Sequence, residues 1–420
     1  MPILLVLPLA LSLLGVASVA CKDKPRAEAS REGVSANPTV VGGPQEAAQP
    51  SRRQSATRLE LRGLWLTNVD SQVLASGEVL RQAFAALDSL NFTTVYPVVW
   101  NRGRTLYSSE VVRGISGEAV DPAPEFASRD MVREALDAGV ASDLKVVPWF
   151  EYGFKVPASG AFARARPGWL TRDAQGRTEK DLGGGVRMSW LNPLNKDVQR
   201  FYVDLLNEFV TKYKVTRLQF DDNFSIPADM LYDQETRAAY AAEGNGAPPA
   251  SKTDPRWSKW VQWRASKISA AVVSMFLQVK TAHPGLRISL SPNPLNWAIA
   301  NYLQDWKTWL AQGAVDDIVV QLYRPNMSSF ESDLQDAALV AEKSRVAIGI
   351  LAGLRPESKR MGMDLVRLQV DAARRAGYAG VSFFFYESLF HFPKVGETPE
   401  GRTNEIRNLF SELSKEPNGF

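Results

Sequence analysis

The stretch NKDVQRFYVDLLNEFVTKYKVTRLQFDD, residues 195–222, contains the unit on which the fold is built. Val198, Phe201, Tyr202, Leu205, Leu206, Phe209, Val210 and Tyr213 recur at i, i+3, i+4 and i+7, the stripe of an amphipathic helix. Asn195 stands where a helix N-cap belongs. Only Val215 and Thr216 separate this helix from an apolar run, Arg217–Asp222, that alternates with the period of a strand. Leu218 and Phe220 share one face, and Gln219 and Asp221 share the other.

Working outward, the same alternation gives strands at Leu61–Thr67, Thr93–Trp100, Lys145–Glu151, Arg287–Ser291, Ile318–Tyr323, Val346–Leu351 and Gly380–Tyr386. With Arg217–Asp222 that makes eight strands separated by amphipathic helices, the pattern of a single (β/α)8 TIM barrel. Asp254-Pro255 reads as a cap followed by a first-turn proline, and Gly377 as a C-cap. Trp257 and Trp260 fall on the apolar face of a helix and read as packing residues. Helix-to-strand links are short. Strand-to-helix links are long at about 101–127, 152–194 and 223–253. Long loops in a compact domain are usually functional, and these all follow strand C-termini, where barrel enzymes place their sites. Gly183-Gly184-Gly185 lacks the Lys and Ser/Thr of a phosphate cradle and reads as a hinge in the loop after the third strand.

The chain has 420 residues with 49 Lys+Arg against 46 Asp+Glu, a net charge of +3, which argues against a nucleic-acid partner. A single Cys rules out an intrachain disulfide framework or a CxxC zinc site, and the two His, His283 and His391, are too few and too far apart for a His-rich metal centre. The sequence therefore calls for no metal and no cofactor. Ile3 to Ala20 is almost wholly apolar and ends at Cys21, the form of a secretory signal with Cys21 as a lipidation point. Residues 1–20 are read as signal peptide, 21–56 as a lipidated flexible linker too poor in large apolar residues to fold, and 57–420 as the barrel domain. The expected location is the bacterial cell envelope, on a membrane reached through the lipid, with the protein a monomer.

Strand parity places Glu151 and Trp149, Asp221, Ser291, and Gln321 with Tyr323 at the barrel mouth, with Asp222, Asn293, Tyr386 and Glu387 at strand ends. Two carboxyl groups flanking a glycosidic bond, one giving a proton and the other serving as nucleophile or base, are the chemistry this palette suits. Asp221 is the expected nucleophile or base, with Asp222 shaping its charge. Glu151 or Glu387 is the expected proton donor, although Glu387 has the opposite parity to Tyr386. Trp65, Trp100, Trp149, Trp190 and Trp297 are candidate stacking faces for sugars. His391 reads as a surface or packed residue.

The segments LRGLWLT (61–67), WFEYG (149–153), LNP (191–193), LQFDDNF (218–224), Trp263-Arg264, LSPNP (290–294) and VQLY (320–323) together resemble, in order and spacing, the glycosyl-hydrolase-like family 10 proteins, formerly a domain of unknown function. The resemblance covers about residues 59–392. It implies a TIM barrel acting on glycans, in a family that includes envelope enzymes cutting peptidoglycan strands stripped of their stem peptides. It matches the family's acidic pair to Asp221 and Asp222, and its other motif positions to Asn192, Ser291, Gln321 and Tyr323. Arg62 and Trp65 come from the opening motif, and Arg62 is expected to orient sugar hydroxyls. The expected function is an envelope-anchored glycoside hydrolase with a polysaccharide substrate. The alternative is a glycan-binding lipoprotein on the same scaffold without catalysis.

Overall fold

A computed structural model describes residues 60–411. The expected signal, the linker and Cys21 lie outside the described residues. The chain forms a closed barrel of eight parallel strands: β1 (Leu61–Leu66), β2 (Thr94–Asn101), β3 (Trp149–Phe150), β4 (Arg217–Asp221), β5 (Arg287–Ser291), β6 (Asp317–Gln321), β7 (Val346–Leu351) and β8 (Gly380–Phe384). Each strand pairs with its sequence neighbours, and β1 pairs with both β2 and β8, which closes the ring.

The helix read from residues 195–222 spans Lys196–Tyr213 and buries all eight stripe residues. Asn195 caps it, its side chain accepting from the amides of Asp197 and Val198. Burying such a face is what holds a helix of this kind on a sheet. Gly377 caps its helix in the left-handed conformation, as expected. The helix expected at Asp254-Pro255 instead begins at Trp257. Asp254 spends its carboxylate on the amide of Arg256 in the preceding turn.

Several strands stop earlier than their alternation suggested. The run Lys145–Glu151 is interrupted after Val146, and Pro148, which has no N–H to give the ladder, lies between the two paired segments. Glu151 thus sits just past the paired backbone, and β4, β6 and β8 likewise end before Asp222, Tyr323 and Tyr386. The long loop after β3 folds into a small antiparallel sheet of Lys155–Pro157, Glu179–Asp181 and Arg187–Trp190. Gly183, Gly184 and Gly185 all take positive φ and form the hairpin turn of this sheet. That turn geometry is the reason for glycine there, in place of the expected hinge.

Candidate active site

The interior of the barrel below its C-terminal mouth is filled by aromatic side chains. The Trp65 ring lies 5.5 Å from Tyr96 and 6.4 Å from Trp149, and Phe384 touches Trp65, Trp149 and Tyr323. Trp65 Nε1 donates to Gln219 Oε1 at 2.7 Å, and Gln219 reaches Ser289 on β5. Inward-facing residues of a barrel this size pack against each other, so Trp65 and Trp149 form a floor with no face open to a sugar. Trp100 and Trp190 are also buried, whereas Trp297 stays 36% exposed after β5. Trp260 is buried, stacked on Trp263 and covered by the Arg264 guanidinium, the packing role expected of it.

Three carboxyl groups gather above this floor. Asp221 ends β4, and its Oδ1 accepts from Gln321 Nε2 at 2.8 Å and from the amide of Asp222 at 2.7 Å. Gln321 is held in place because the same nitrogen also reaches the Ser291 carbonyl. Asp222 Oδ2 accepts from Asn293 Nδ2 at 2.7 Å. Glu151 Oε2 accepts from Asn101 Nδ2 at 2.5 Å, and Asn101 in turn holds Asn68. Gln304 clamps the carbonyls of Asp221, Asp222 and Phe224, fixing the turn that carries the acidic pair.

Their surroundings push the three groups to different acidities. Burial, then the charges of Asp222 and Glu151, hold Asp221 well above the usual carboxylate range. Asp222 is also raised by burial, but the Lys155 charge, the hydrogen bond from Asn293 and the neighbouring polar groups of Asp221 and Gln321 pull back toward its charged form. The two carboxyl groups titrate as a pair, and Asp221 is the member pushed further toward its protonated form. Burial lifts Glu151 to about 7 against the opposing pull of Lys155, Arg102 and Asn101. Tyr323 keeps its proton, because burial and the three nearby carboxyl groups raise it far above its ordinary value. The mouth thus offers carboxyl groups pushed apart in acidity, the condition for dividing acid and base roles.

Not every expected residue comes to this place. Arg62 lies at the opposite end of the barrel, near the start of β1, where it bonds the Asn91 carbonyl and covers Phe410. The short motif that suggested a sugar contact carries no information about which barrel end it occupies. Asn192 bonds Asp233 on the barrel flank, where both line a separate groove of about 640 Å3. Glu387 turns to the first loop, accepting from Ser71 Oγ and the amides of Gln72 and Val73. With Tyr386, His391 and Asn68 it lines a cavity of about 780 Å3 beside the mouth. His391 is exposed there. Asn101, Asn68, Lys155, Arg102 and Gln304 were not anticipated. Asn101 directly follows Trp100 at the end of β2, which was a usable signal. Lys155 reaches the site through the pairing Lys155↔Trp190 inside the loop after β3, which no local pattern announces. Among the described residues no group of three or more His, Cys, Asp or Glu side chains is arranged to hold a metal ion.

A (β/α)8 barrel with clustered carboxyl groups at its C-terminal mouth is a glycoside hydrolase scaffold. The chain belongs to the glycosyl hydrolase-like 10 family, whose model matches residues 60–367. It is 24% identical over 326 residues to glycosyl hydrolase DigH of Escherichia coli K12, covering 68% of this chain and 70% of the relative. The fold is shared with the glycoside hydrolase domain of PgaB (BpsB) from Bordetella bronchiseptica, at a TM-score of 0.61 and 14% identity, over 84% of this chain and 98% of that one. The catalytic domain of β-amylase from Paenibacillus polymyxa superposes at a TM-score of 0.57 and 12% identity, over 84% and 99% of the two chains.

Proposed function

We propose that the protein is an envelope-anchored glycoside hydrolase that cleaves O-glycosidic bonds of a polysaccharide, with denuded peptidoglycan strands the substrate of first choice. The observation that carries this reading is the cluster of Glu151, Asp221 and Asp222 at the mouth, with acidities separated by their surroundings. Glu151, poised near 7, is the proton donor to the leaving oxygen. Asp222 is the ionised partner, nucleophile or base, because Lys155, Asn293 and Gln321 favour its charge. Asp221 holds a proton and orients Asp222, which exchanges the roles expected from strand parity alone: the residue facing deepest inward is the one least able to carry charge. Gln321, Asn293 and Tyr323 are placed to bond sugar hydroxyls around this centre. The relationship to a protein named as a glycosyl hydrolase supports the reaction class. The apolar run ending at Cys21 supports export and lipid anchoring. Among the described residues no helix is long and apolar enough to cross a membrane.

The test is mass analysis of products from intact sacculi, denuded sacculi, chitin and xylan. Wild type should release fragments from denuded sacculi, and Asp222→Asn and Glu151→Gln should each slow release by about a hundred- to ten-thousand-fold. If wild type retained the glycan but released nothing from any of the four, a binding protein without catalysis would be the better reading. Cys21→Ser should abolish incorporation of labelled fatty acid and shift the protein out of the membrane fraction.

A further inference from the structure

Two cations stand on the Glu151 side of the mouth without a carboxylate partner. Lys155 is buried, yet its ammonium makes one hydrogen bond, to the neutral Asn223 Oδ1 at 2.7 Å, and lies 4.4 Å from the centre of the Tyr152 ring. An ammonium has three N–H donors, so two have no protein acceptor among the described residues. Arg102 approaches the same tyrosine from the β2 side, 6.0 Å from the ring centre, with Nε at 3.5 Å from the Tyr152 hydroxyl. Neither cation forms an ion pair among the described residues. Arg102 and Gly103 are the two central residues of the hairpin turn that pairs Asn101 with Arg104, and both take the positive φ such a turn requires.

A buried cation with unused donors is costly unless an anion completes it. The nearby protein carboxyl groups feel these charges through space but accept no hydrogen bond from them: the Glu151 side chain bonds Asn101, and that of Asp222 bonds Asn293. The free donors flank the place where a sugar must lie for Glu151 to reach its glycosidic oxygen. We infer that Arg102 and Lys155 read a carboxylate on the substrate, so that the sugar held beside Glu151 is an acidic one, bearing either a uronic acid or a lactyl ether group. This inference rests on the hydrolase reading for where the sugar lies, and makes charge on the substrate a condition for efficient binding at this subsite. Arg102 and Lys155 are specificity residues in this assignment; Tyr152 is the platform that aligns them.

The experiment uses matched oligosaccharides: denuded peptidoglycan fragments for the lactyl carboxylate, hyaluronan fragments for the uronate, and the carboxyl-reduced form of each. Wild type should prefer the carboxylated member of one pair by at least about tenfold in kcat/KM, the worth of one charged hydrogen bond. Whichever pair shows the preference identifies the source of the carboxylate. In Arg102→Gln the preference should fall to about threefold or less through KM on the acidic substrate, while any change in kcat from the lost pull on Glu151 should be common to the acidic and reduced forms and cancel in the ratio. Lys155→Gln should lose the same preference. Equal use of acidic and reduced forms of both pairs by wild type, or a preference untouched by both substitutions, overturns the assignment. Should wild type cleave none of these sugars, the hydrolase reading is decided separately by the four-glycan panel. Calorimetric titration of Asp222→Asn with the same pairs then decides the matter, tighter binding of a carboxylated member sustaining the inference and equal or absent binding refuting it.

Discussion

Asn293 Nδ2 donates to Asp222 Oδ2 at 2.7 Å and so ties the end of β5 to the end of β4. The bond favours the charged form of a carboxyl group whose pKa burial raises. Asn293→Ala should therefore raise the Asp222 pKa further. The acidic limb of the kcat/KM profile should move to higher pH, and activity at pH 6 should fall by about tenfold or more. A pH–rate profile checks this, with circular dichroism to show that the barrel is intact. An unshifted acidic limb would mean that another group sets it.

Glu387 illustrates a carboxylate whose burial serves a loop. Its three donors, Ser71 Oγ at 2.6 Å, the Gln72 amide at 2.9 Å and the Val73 amide at 3.2 Å, all belong to the segment after β1. Glu387→Ala leaves two backbone amides without their acceptor, a loss of about 2–4 kcal/mol. The melting temperature should drop by several degrees while kcat of the folded enzyme changes less than about tenfold. Thermal melts beside single-turnover rates separate this outcome from a chemical role, which would show the reverse.

Gly153 is the point where the loops after β3 and β4 touch. Its φ is +47°, and a Cβ there would collide with the backbone of Asn223 and Phe224. Its carbonyl also accepts from Trp100 Nε1 and from the Tyr202 hydroxyl. Gly153→Ala should push apart the segments that carry Glu151 and Asp222, costing about 2 kcal/mol or more in stability. Activity should fall further than stability explains, because a displacement of about 1 Å can cost about a hundredfold in rate. Urea titration and kcat measured well below the transition would test both parts.

What was legible beforehand follows a physical divide. The period of two in Arg217–Asp222 and in Ile318–Tyr323 correctly assigned Gln219, Asp221 and Gln321 to the barrel interior, since the direction of a strand side chain is fixed by the backbone. The eight helix–strand units were legible for the same reason. Beyond the last paired residue parity ceases to constrain, and there the expectations diverge from the structure: Glu387 turns to the first loop and Asn192 to a flank groove. Arg62 sits on a correctly read strand, but at its bottom end. Lys155 and Asn101 matter through contacts about 50 or more residues away in sequence, with Asn223 and Glu151, and no local pattern encodes those.

The acidity of Glu151 links activity to stability. In the folded chain its carboxyl group is lifted from 4.5 to about 7 by burial. A carboxyl group raised on folding binds its proton more tightly in the native state than in the unfolded one. Its contribution to stability is therefore fully present below about 4.5 and is lost as pH rises through about 7. At pH 8 the loss amounts to as much as about 3 kcal/mol. Asp221 and Asp222, also raised, act in the same direction. As the proton donor, Glu151 works only while protonated, so kcat/KM should decline about tenfold per pH unit above 7. Glu151→Gln removes both effects together. The variant should lose most of its activity on unactivated glycans, show no alkaline decline in what remains, and melt several degrees above wild type at pH 8 but not at pH 4.5. It should retain far more activity on a nitrophenyl glycoside, whose leaving group departs without protonation. Melting curves at the two pH values, paired with rates on both kinds of substrate, make the test. A variant no more stable than wild type at pH 8 would mean that Glu151 is already ionised in the folded protein, which would disqualify it as the acid.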